Sequence, residues 1–234
     1  MATQNNQNSA VIIAPSILSG DFTQLGTQIK ALENGGADWV HIDVMDGLFA
    51  PNISFGPLIV EACRKVTDLP LDIHLMIVNP GKHLKAFANV GATGITVQAE
   101  ACPQLNKTLQ AIRRLGCKPG VALKPGTSLE IIAKDLHLVD LVLVLSDPPG
   151  FSGERIMPSI LSKIEELAVM LDKIESDAII QLDGGVTKKN ILFAYRAGAR
   201  AFVSGSIVSS HQKGISQGIS ELKSAVNPSR FLKE

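Results

Sequence analysis

Short aliphatic or β-branched runs recur along the chain, each followed by a longer stretch in which apolar residues return at helical spacing. This pattern predicts strands near 11–18, 39–45, 71–77, 94–99, 119–124, 141–146, 178–183 and 201–205. Amphipathic segments lie between them at 22–33, 81–90, 105–115, 159–174 and 188–196. Three of the helical stretches stop alike, at Gly36-Ala37-Asp38, Gly91-Ala92-Thr93 and Gly198-Ala199-Arg200. A glycine just past a helix end can take the left-handed conformation that closes the last turn. One helix–Gly–Ala–strand join used repeatedly implies an α/β architecture, and eight such units close most naturally into a single-domain (β/α)8 TIM barrel. An open doubly wound sheet is the alternative, but no G-x-G-x-x-G follows the first strand. No linker interrupts the pattern, so the domain is expected over 11–234, behind a flexible polar tail at 1–10.

The informative residues are polar ones inside otherwise apolar strands. Strand side chains alternate, so His41 and Asp43 share one face, as do His74 and Met76. Asp183 ends its strand before Gly184-Gly185, and Ser16 lies near the end of the first strand. All fall at or near C-terminal strand ends, where barrel active sites are assembled. Taken singly, a strand His is commonly a hydrogen-bonded core residue, and Asp46-Gly47 or Asp183-Gly184 a turn. Taken together, two His and two Asp aimed into one mouth need compensation, because burying uncompensated carboxylates is very costly. A divalent cation held by His41, Asp43, His74 and Asp183 would supply it, and two imidazoles plus two carboxylates suit Zn²⁺, Fe²⁺, Mn²⁺ or Co²⁺.

A second group of residues reads as a phosphate cradle. Gly150-Phe151-Ser152-Gly153 follows the sixth strand, Gly184-Gly185 the seventh and Gly205-Ser206 the eighth. Late barrel loops are the usual phosphate site, and glycine lets backbone N–H groups approach the anion. Charge agrees with a small anionic ligand held locally. Lys plus Arg (22) equals Asp plus Glu (22), so no global field recruits nucleic acid or an anionic membrane. Of the 234 residues 45% are hydrophobic, enough for a large core, yet no apolar run reaches the roughly 18 residues of a membrane span. Cys63, Cys102 and Cys117 are odd in number and form no C-x-x-C pair, which points to a reducing, cytoplasmic setting.

These residues carry a family likeness. Ala14-Pro15-Ser16-Ile17-Leu18-Ser19, His41-Ile42-Asp43-Val44-Met45-Asp46-Gly47, Pro51-Asn52, Asp72-Ile73-His74-Leu75-Met76, Pro149-Gly150-Phe151, Leu182-Asp183-Gly184-Gly185-Val186 and Ser204-Gly205-Ser206 resemble the motifs of ribulose-phosphate 3-epimerases, over about residues 11–225. The resemblance implies a metal-dependent isomerase of carbohydrate metabolism that epimerises C3 of a ketose phosphate, D-ribulose 5-phosphate to D-xylulose 5-phosphate. Its setting would be the pentose phosphate pathway or the Calvin cycle. It implies that His41, Asp43, His74 and Asp183 hold the ion, with Zn²⁺ first among the candidates, and that Asp43 and Asp183 are the acid/base pair. It further implies that Ser16 and His74 touch substrate. Gly150, Phe151, Ser152, Gly153, Gly184, Gly185, Gly205 and Ser206 would hold the phosphate, Met45 and Met76 would wall the reacting carbons, and the chain would form a homo-oligomer.

The chain departs from the family pattern in places. The loop that commonly reads N-P-G-F-G-G-Q is here Pro148-Pro149-Gly150-Phe151-Ser152-Gly153-Glu154, and Asp147 adds a charge beside it. Leu145 stands for a usual Met, and Leu48 and Gln98 each for a usual His. The four metal and acid/base positions are intact. The competing readings are an epimerase of a hexulose phosphate such as allulose 6-phosphate, another phosphate-binding barrel, or a non-catalytic sugar-phosphate-binding paralogue.

Overall fold

The computed structural model describes residues 11–150 and 156–226. Eight parallel strands form one sheet: β1 (Ile12–Pro15), β2 (Val40–Met45), β3 (Leu71–Met76), β4 (Gly94–Gln98), β5 (Lys118–Leu123), β6 (Leu141–Leu145), β7 (Ile179–Asp183) and β8 (Ala201–Ser204). Each pairs with its sequence neighbour from β2 to β8, β8 pairs with β1, and a parallel bridge between Ser16 and His41 completes the ring. The expected (β/α)8 barrel is therefore present. The helices are α1 (Leu25–Asn34), α2 (Pro57–Arg64), α3 (Leu84–Asn89), α4 (Leu105–Arg114), α5 (Pro158–Lys173), α6 (Ile191–Ala197), α7 (Ser206–Ser209) and α8 (Ile215–Ala225). No described helix is long and apolar enough to cross a membrane.

Alternation along the strands sorts the residues into two interiors. Val40, Ile42 and Val44 of β2, with Ile73 and Leu75 of β3, point outward and pack under the helices in the main apolar core. Their neighbours His41, Asp43, Asp72 and His74 are equally buried but lie on the other face, inside the barrel. Both faces of a parallel barrel strand are covered, so polar residues inside it are there against the hydrophobic gradient. The interior closes with Ala122, Leu141, Leu143 and Leu145 in one cluster, and Met45, Met76 and Ala50 in another.

The structure differs from the sequence expectation at several joins. The strand near 11–18 stops at Pro15, because Ser16 Oγ accepts from Leu18 N–H and starts a 3₁₀ turn over Ile17–Ser19. The amphipathic stretches from 22 and 81 open as 3₁₀ turns, at Phe22–Gln24 and Pro80–Lys82, before α1 and α3 begin. The helix α2, with Pro57 in its first turn, was not singled out from periodicity. Between β5 and β6 the connection is two 3₁₀ segments, Leu129–Ile131 and Ala133–Leu138. The expected tail at 1–10 lies outside the described residues.

The repeated helix–Gly–Ala–strand join is physical. Gly36, Gly91 and Gly198 have φ of 85°, 101° and 127°. In each case the following Ala N–H bonds the carbonyl five residues back: Ala37 to Leu32 at 3.0 Å, Ala92 to Phe87 at 3.3 Å, Ala199 to Ala194 at 3.0 Å. This pattern satisfies a carbonyl the helix end would otherwise leave unpaired and turns the chain back into the sheet.

Two of these glycines should separate backbone strain from crowding. A Cβ at Gly36 meets nothing within 4 Å, whereas one at Gly198 lies 2.8 Å from the Ala168 Cβ. Gly36→Ala should cost about 1–2 kcal/mol, the left-handed backbone penalty alone. Gly198→Ala should cost about 1–3 kcal/mol more, through overpacking. Urea denaturation of both variants checks this, and equal costs would contradict the close contact.

Candidate metal centre and active site

The centre is built by three strands. Register sets His41 beside Asp72 and Asp43 beside His74 on β2 and β3, and β7 brings in Asp183 across the barrel. The ligand atoms of His41, Asp43, His74 and Asp183 all lie within 4.8 Å of one another. His41 Nε2 is 3.1 Å and His74 Nδ1 3.2 Å from the same oxygen, Asp43 Oδ1. His74 Nδ1 is also 3.8 Å from Asp183 Oδ2. Both histidines are fully buried, and the Asp183 side chain keeps 16% of its surface open to the cavity above.

The outward atoms of His41, Asp43 and His74 each have a partner. Ser16 Oγ, just past the end of β1, donates to Asp43 Oδ2 at 2.7 Å. His41 Nδ1 faces Asp72 Oδ2 at 2.8 Å, and the Gln181 amide donates to that same oxygen at 2.7 Å. His74 Nε2 faces the Gln98 amide at 2.9 Å. Neither Asp72 nor Gln181 was among the expected site residues. The alternation that singled out His41 and Asp43 also puts Asp72 on the His74 face, so the signal for Asp72 was present in Asp72-Ile73-His74.

The electrostatics are those of a cluster short of positive charge. Burial by itself would lower the His41 pKa, but the carboxylates of Asp43 and Asp72 outweigh it and hold the ring well above its ordinary range. Burial would raise the Asp43 pKa, yet His41 and His74 hold it well below the usual carboxylate range. Asp183 goes the other way: burial first, then the Asp43 charge, push it up to about 6. Asp43 has the histidines beside it as counter-charges, whereas Asp183, buried next to that carboxylate, ionises only at a cost. A divalent cation fits this donor set of two nitrogens and two oxygens, and their buried hydrogen-bond partners are of the kind that orients metal ligands.

A cavity of about 1350 Å³ opens over the cluster at the C-terminal strand ends. Ser16, Asp43, Asp183, Gly150, Gly184, Gly185, Gly205 and Ser206 line it, as do Met45, Met76 and Leu145. His41 and His74 lie beneath its floor. Gly184 and Gly185 have φ of 98° and 63°. A Cβ on Gly184 would sit 2.4 Å from Ser146 Oγ, and one on Gly205 2.8 Å from Ser19 Oγ, so either serine would have to turn aside, and at Gly184 the positive φ disfavours a side chain as well. Asp46 forms the turn that Asp46-Gly47 suggests: it accepts from Leu48, Phe49 and Val78 N–H at 2.8–2.9 Å. Phe151, Ser152, Gly153 and Glu154 lie outside the described residues.

Comparison with known proteins agrees with this arrangement. The model of the Ribulose-phosphate 3 epimerase family matches residues 12–209. The chain is 50% identical over 209 residues to the ribulose-phosphate 3-epimerase of Bacillus subtilis (strain 168), covering 88% of this chain and 96% of that one. It is 45% identical over 222 residues to the chloroplastic ribulose-5-phosphate-3-epimerase of Arabidopsis thaliana, covering 94% and 79%. Among solved structures, KGPDC from Streptococcus mutans superposes with a TM-score of 0.69 at 13% identity, covering 93% of this chain and 98% of that one. The tryptophan synthase α subunit of Legionella pneumophila str. Paris gives 0.60 at 14%, covering 92% of each. At such identities the last two speak for the fold alone.

The raised Asp183 pKa makes a prediction about the protein stripped of ions. The folded chain holds the Asp183 proton up to about pH 6, the unfolded chain only to about 3.8. In that window the folded state binds more protons, so stability falls as pH rises, by at most about 3 kcal/mol in total. Asp183→Asn should therefore melt higher than wild type in chelator at pH 8, with the gain vanishing near pH 4. Thermal melts at both pH values check this; no gain at pH 8 would mean Asp183 is not electrostatically strained.

Proposed function

The chain belongs to the ribulose-phosphate 3-epimerase family, and from that membership we propose that it interconverts D-ribulose 5-phosphate and D-xylulose 5-phosphate by proton transfer between two carboxylates. The observation that carries the reading is the contrast between Asp43, held ionised, and Asp183, pushed up to about 6, within one buried cluster. Groups with pKa values driven apart in a shared site are suited to act as base and acid in one turnover.

Epimerisation removes the C3 proton beside a ketone and returns one to the opposite face. The carbanion charge delocalises onto oxygen as an enediolate, so the planar intermediate needs a proton acceptor on one side and a donor on the other. Asp43 from β2 and Asp183 from β7 fill these roles, exchanging them with the direction of reaction. Ser16 Oγ, already bonded to Asp43, keeps that carboxylate aimed. When bound, a divalent ion held by His41, Asp43, His74 and Asp183 supplies Lewis-acid stabilisation of the developing oxyanion. Zn²⁺ is the ion we favour, with Fe²⁺, Mn²⁺ and Co²⁺ sharing its preference for imidazole and carboxylate. Backbone N–H groups around Gly184, Gly185, Gly205 and Ser206, with the loop at Gly150, hold the phosphate end. Met45 and Met76 wall the reacting carbons and keep water from the intermediate.

The purified chain should bind about one divalent ion, and His41→Ala or His74→Ala should lose it, since one of four ligands is gone. Elemental analysis reads this, and full occupancy in His41→Ala removes that residue from the ligand set.

Separating the two carboxylates tests the mechanism. Asp183→Asn should lower epimerisation by about 10²–10⁴-fold. In heavy water, however, the one epimer whose C3 proton faces Asp43 should still exchange it for deuterium without inverting. Asp43→Asn should do the same with the other epimer. Metal content is measured in both variants first. If both hold metal and Asp183→Asn epimerises at the wild-type rate, the two-carboxylate mechanism fails.

A further inference from the structure

At the end of the barrel opposite the catalytic mouth, the lowest layer of the interior is incomplete. Barrel interiors are packed in layers by inward-pointing side chains. On β4 the inward positions are Gly94, Thr96 and Gln98, because Ile95 and Val97 lie in the outer core. Gly94 therefore adds nothing to its layer. A Cβ on it would meet nothing closer than Lys118 O at 3.6 Å, Lys118 Cβ at 3.8 Å and Asp72 Oδ1 at 3.9 Å, all ordinary contacts. Its backbone is not left-handed either, so conformation does not reserve the position for glycine. The space belongs to a cavity of about 550 Å³, walled by Trp39, Pro70, Leu141 and Ile179, that shares no lining residue with the catalytic cavity.

Two polar side chains reach this cavity with unused capacity. Asp72 and Thr96 line it and are only 4% and 2% exposed. Asp72 Oδ2 is engaged by His41 and Gln181, whereas Oδ1 has no hydrogen-bond partner among the described residues and faces the space at Gly94. The Thr96 hydroxyl, which lies where a side chain on Gly120 would be, has none either. A carboxylate oxygen only accepts, so the inner end of the cavity calls for a donor, and charged donors make the stronger bond. The rim carries both signs, Arg113 and Lys118 against Asp140 and Asp177 with His137 beside them, so the sign of a ligand is set at depth by Asp72. Apolar cavities of this size with a few placed polar groups are the usual form of a small-molecule site. We propose that the lower end of the barrel is a second binding site, for a small amine. Its ammonium sits on Asp72 Oδ1 and Thr96 Oγ1, and a compact apolar body packs against Trp39, Leu141 and Ile179.

The chain has a single tryptophan, and Trp39 lines the site, so its fluorescence reports occupancy. The test is titration of the whole chain with benzylamine, benzyl alcohol and benzoate, followed by Trp39 emission and by calorimetry. Benzylamine should bind saturably. Benzyl alcohol keeps the ring and a neutral donor, and should bind about 10–100-fold more weakly, the usual cost of losing a hydrogen bond to a charged group. Benzoate, which brings a second carboxylate to Asp72, should not bind. Gly94→Val grows a branched side chain into the cavity from a strand position that suits it, and should abolish benzylamine binding in a chain that still melts cooperatively. Absence of saturable benzylamine binding overturns the inference, as does equal affinity for the alcohol or the benzoate. Undiminished binding in folded Gly94→Val overturns it too, because the amine is then held elsewhere. Should Gly94→Val fail to fold, Gly94→Ala takes its place: its one added carbon makes only ordinary contacts and should weaken benzylamine several-fold, and unchanged affinity there overturns the assignment.

Discussion

The parallel register of β2 on β3 sets every other feature of the centre. One strand carries His-x-Asp and the other Asp-x-His, and the ladder places His41 opposite Asp72 and Asp43 opposite His74. Each imidazole therefore has a carboxylate across the ladder, and the four polar side chains form a chequerboard rather than two like-charged rows. A slip of β2 by one residue would send His41 and Asp43 into the apolar layer under the helices and bring Val40, Ile42 and Val44 inside, so the hydrophobic pattern itself enforces the register of the centre. The same pattern ties stability to chemistry. Ile42 and Val44 are fully or nearly fully buried in the core because His41 and Asp43 face the other way.

That arrangement leaves one group without an imidazole across its own ladder. Asp183 arrives on β7, whose ladder neighbours do not offer it a cation, and it meets Asp43 instead. The cluster is consequently poised: three groups hold each other in charged or hydrogen-bonded states, and the fourth tends to keep a proton. A site arranged purely for stability would replace Asp183 with something neutral. In the mechanism proposed above, this strain lets one carboxylate donate while the other accepts, and it is the kind of local cost that persists at functional sites because the surrounding barrel over-determines the geometry.

Much of this was legible in the sequence, for identifiable reasons. His41, Asp43, His74 and Asp183 stood out because polar residues interrupt apolar strands at period two, and the structure brings all four together. The three Gly–Ala joins were legible because left-handed closure demands glycine. Asp72 was passed over although it shares that period, since a second carboxylate at the start of a strand reads as solvent-facing until the strand's place in a closed barrel is known. Gln181 gave no signal, because its role is a contact to Asp72 separated by 109 residues in the chain. The early end of β1 was hidden in Ser16, which both starts a turn and anchors Asp43. The two 3₁₀ segments before β6 lack a long apolar period, so periodicity had nothing to report there.

The positions that depart from the family pattern sort by depth. Leu48 is 76% exposed on the turn built by Asp46, so a histidine lost there costs the buried cluster no contact. Leu145 is different: it lines the cavity and sits across the ladder from Asp183. An aliphatic side chain there keeps water from the carboxylate, and exchanging a methionine for leucine conserves volume well enough to retain that effect. Asp147 lies beside Gly184: its Oδ2 accepts from Ser146 Oγ at 2.9 Å and is 3.0 Å from the place a Cβ on Gly184 would occupy. On the function proposed above, a carboxylate this close to the glycine cradle bears on how tightly an anionic end is held, and hardly at all on proton transfer at the other end of the cavity. On that reading the departures act on substrate affinity and selectivity, while the chequerboard of β2 and β3, together with Asp183, keeps the reaction type.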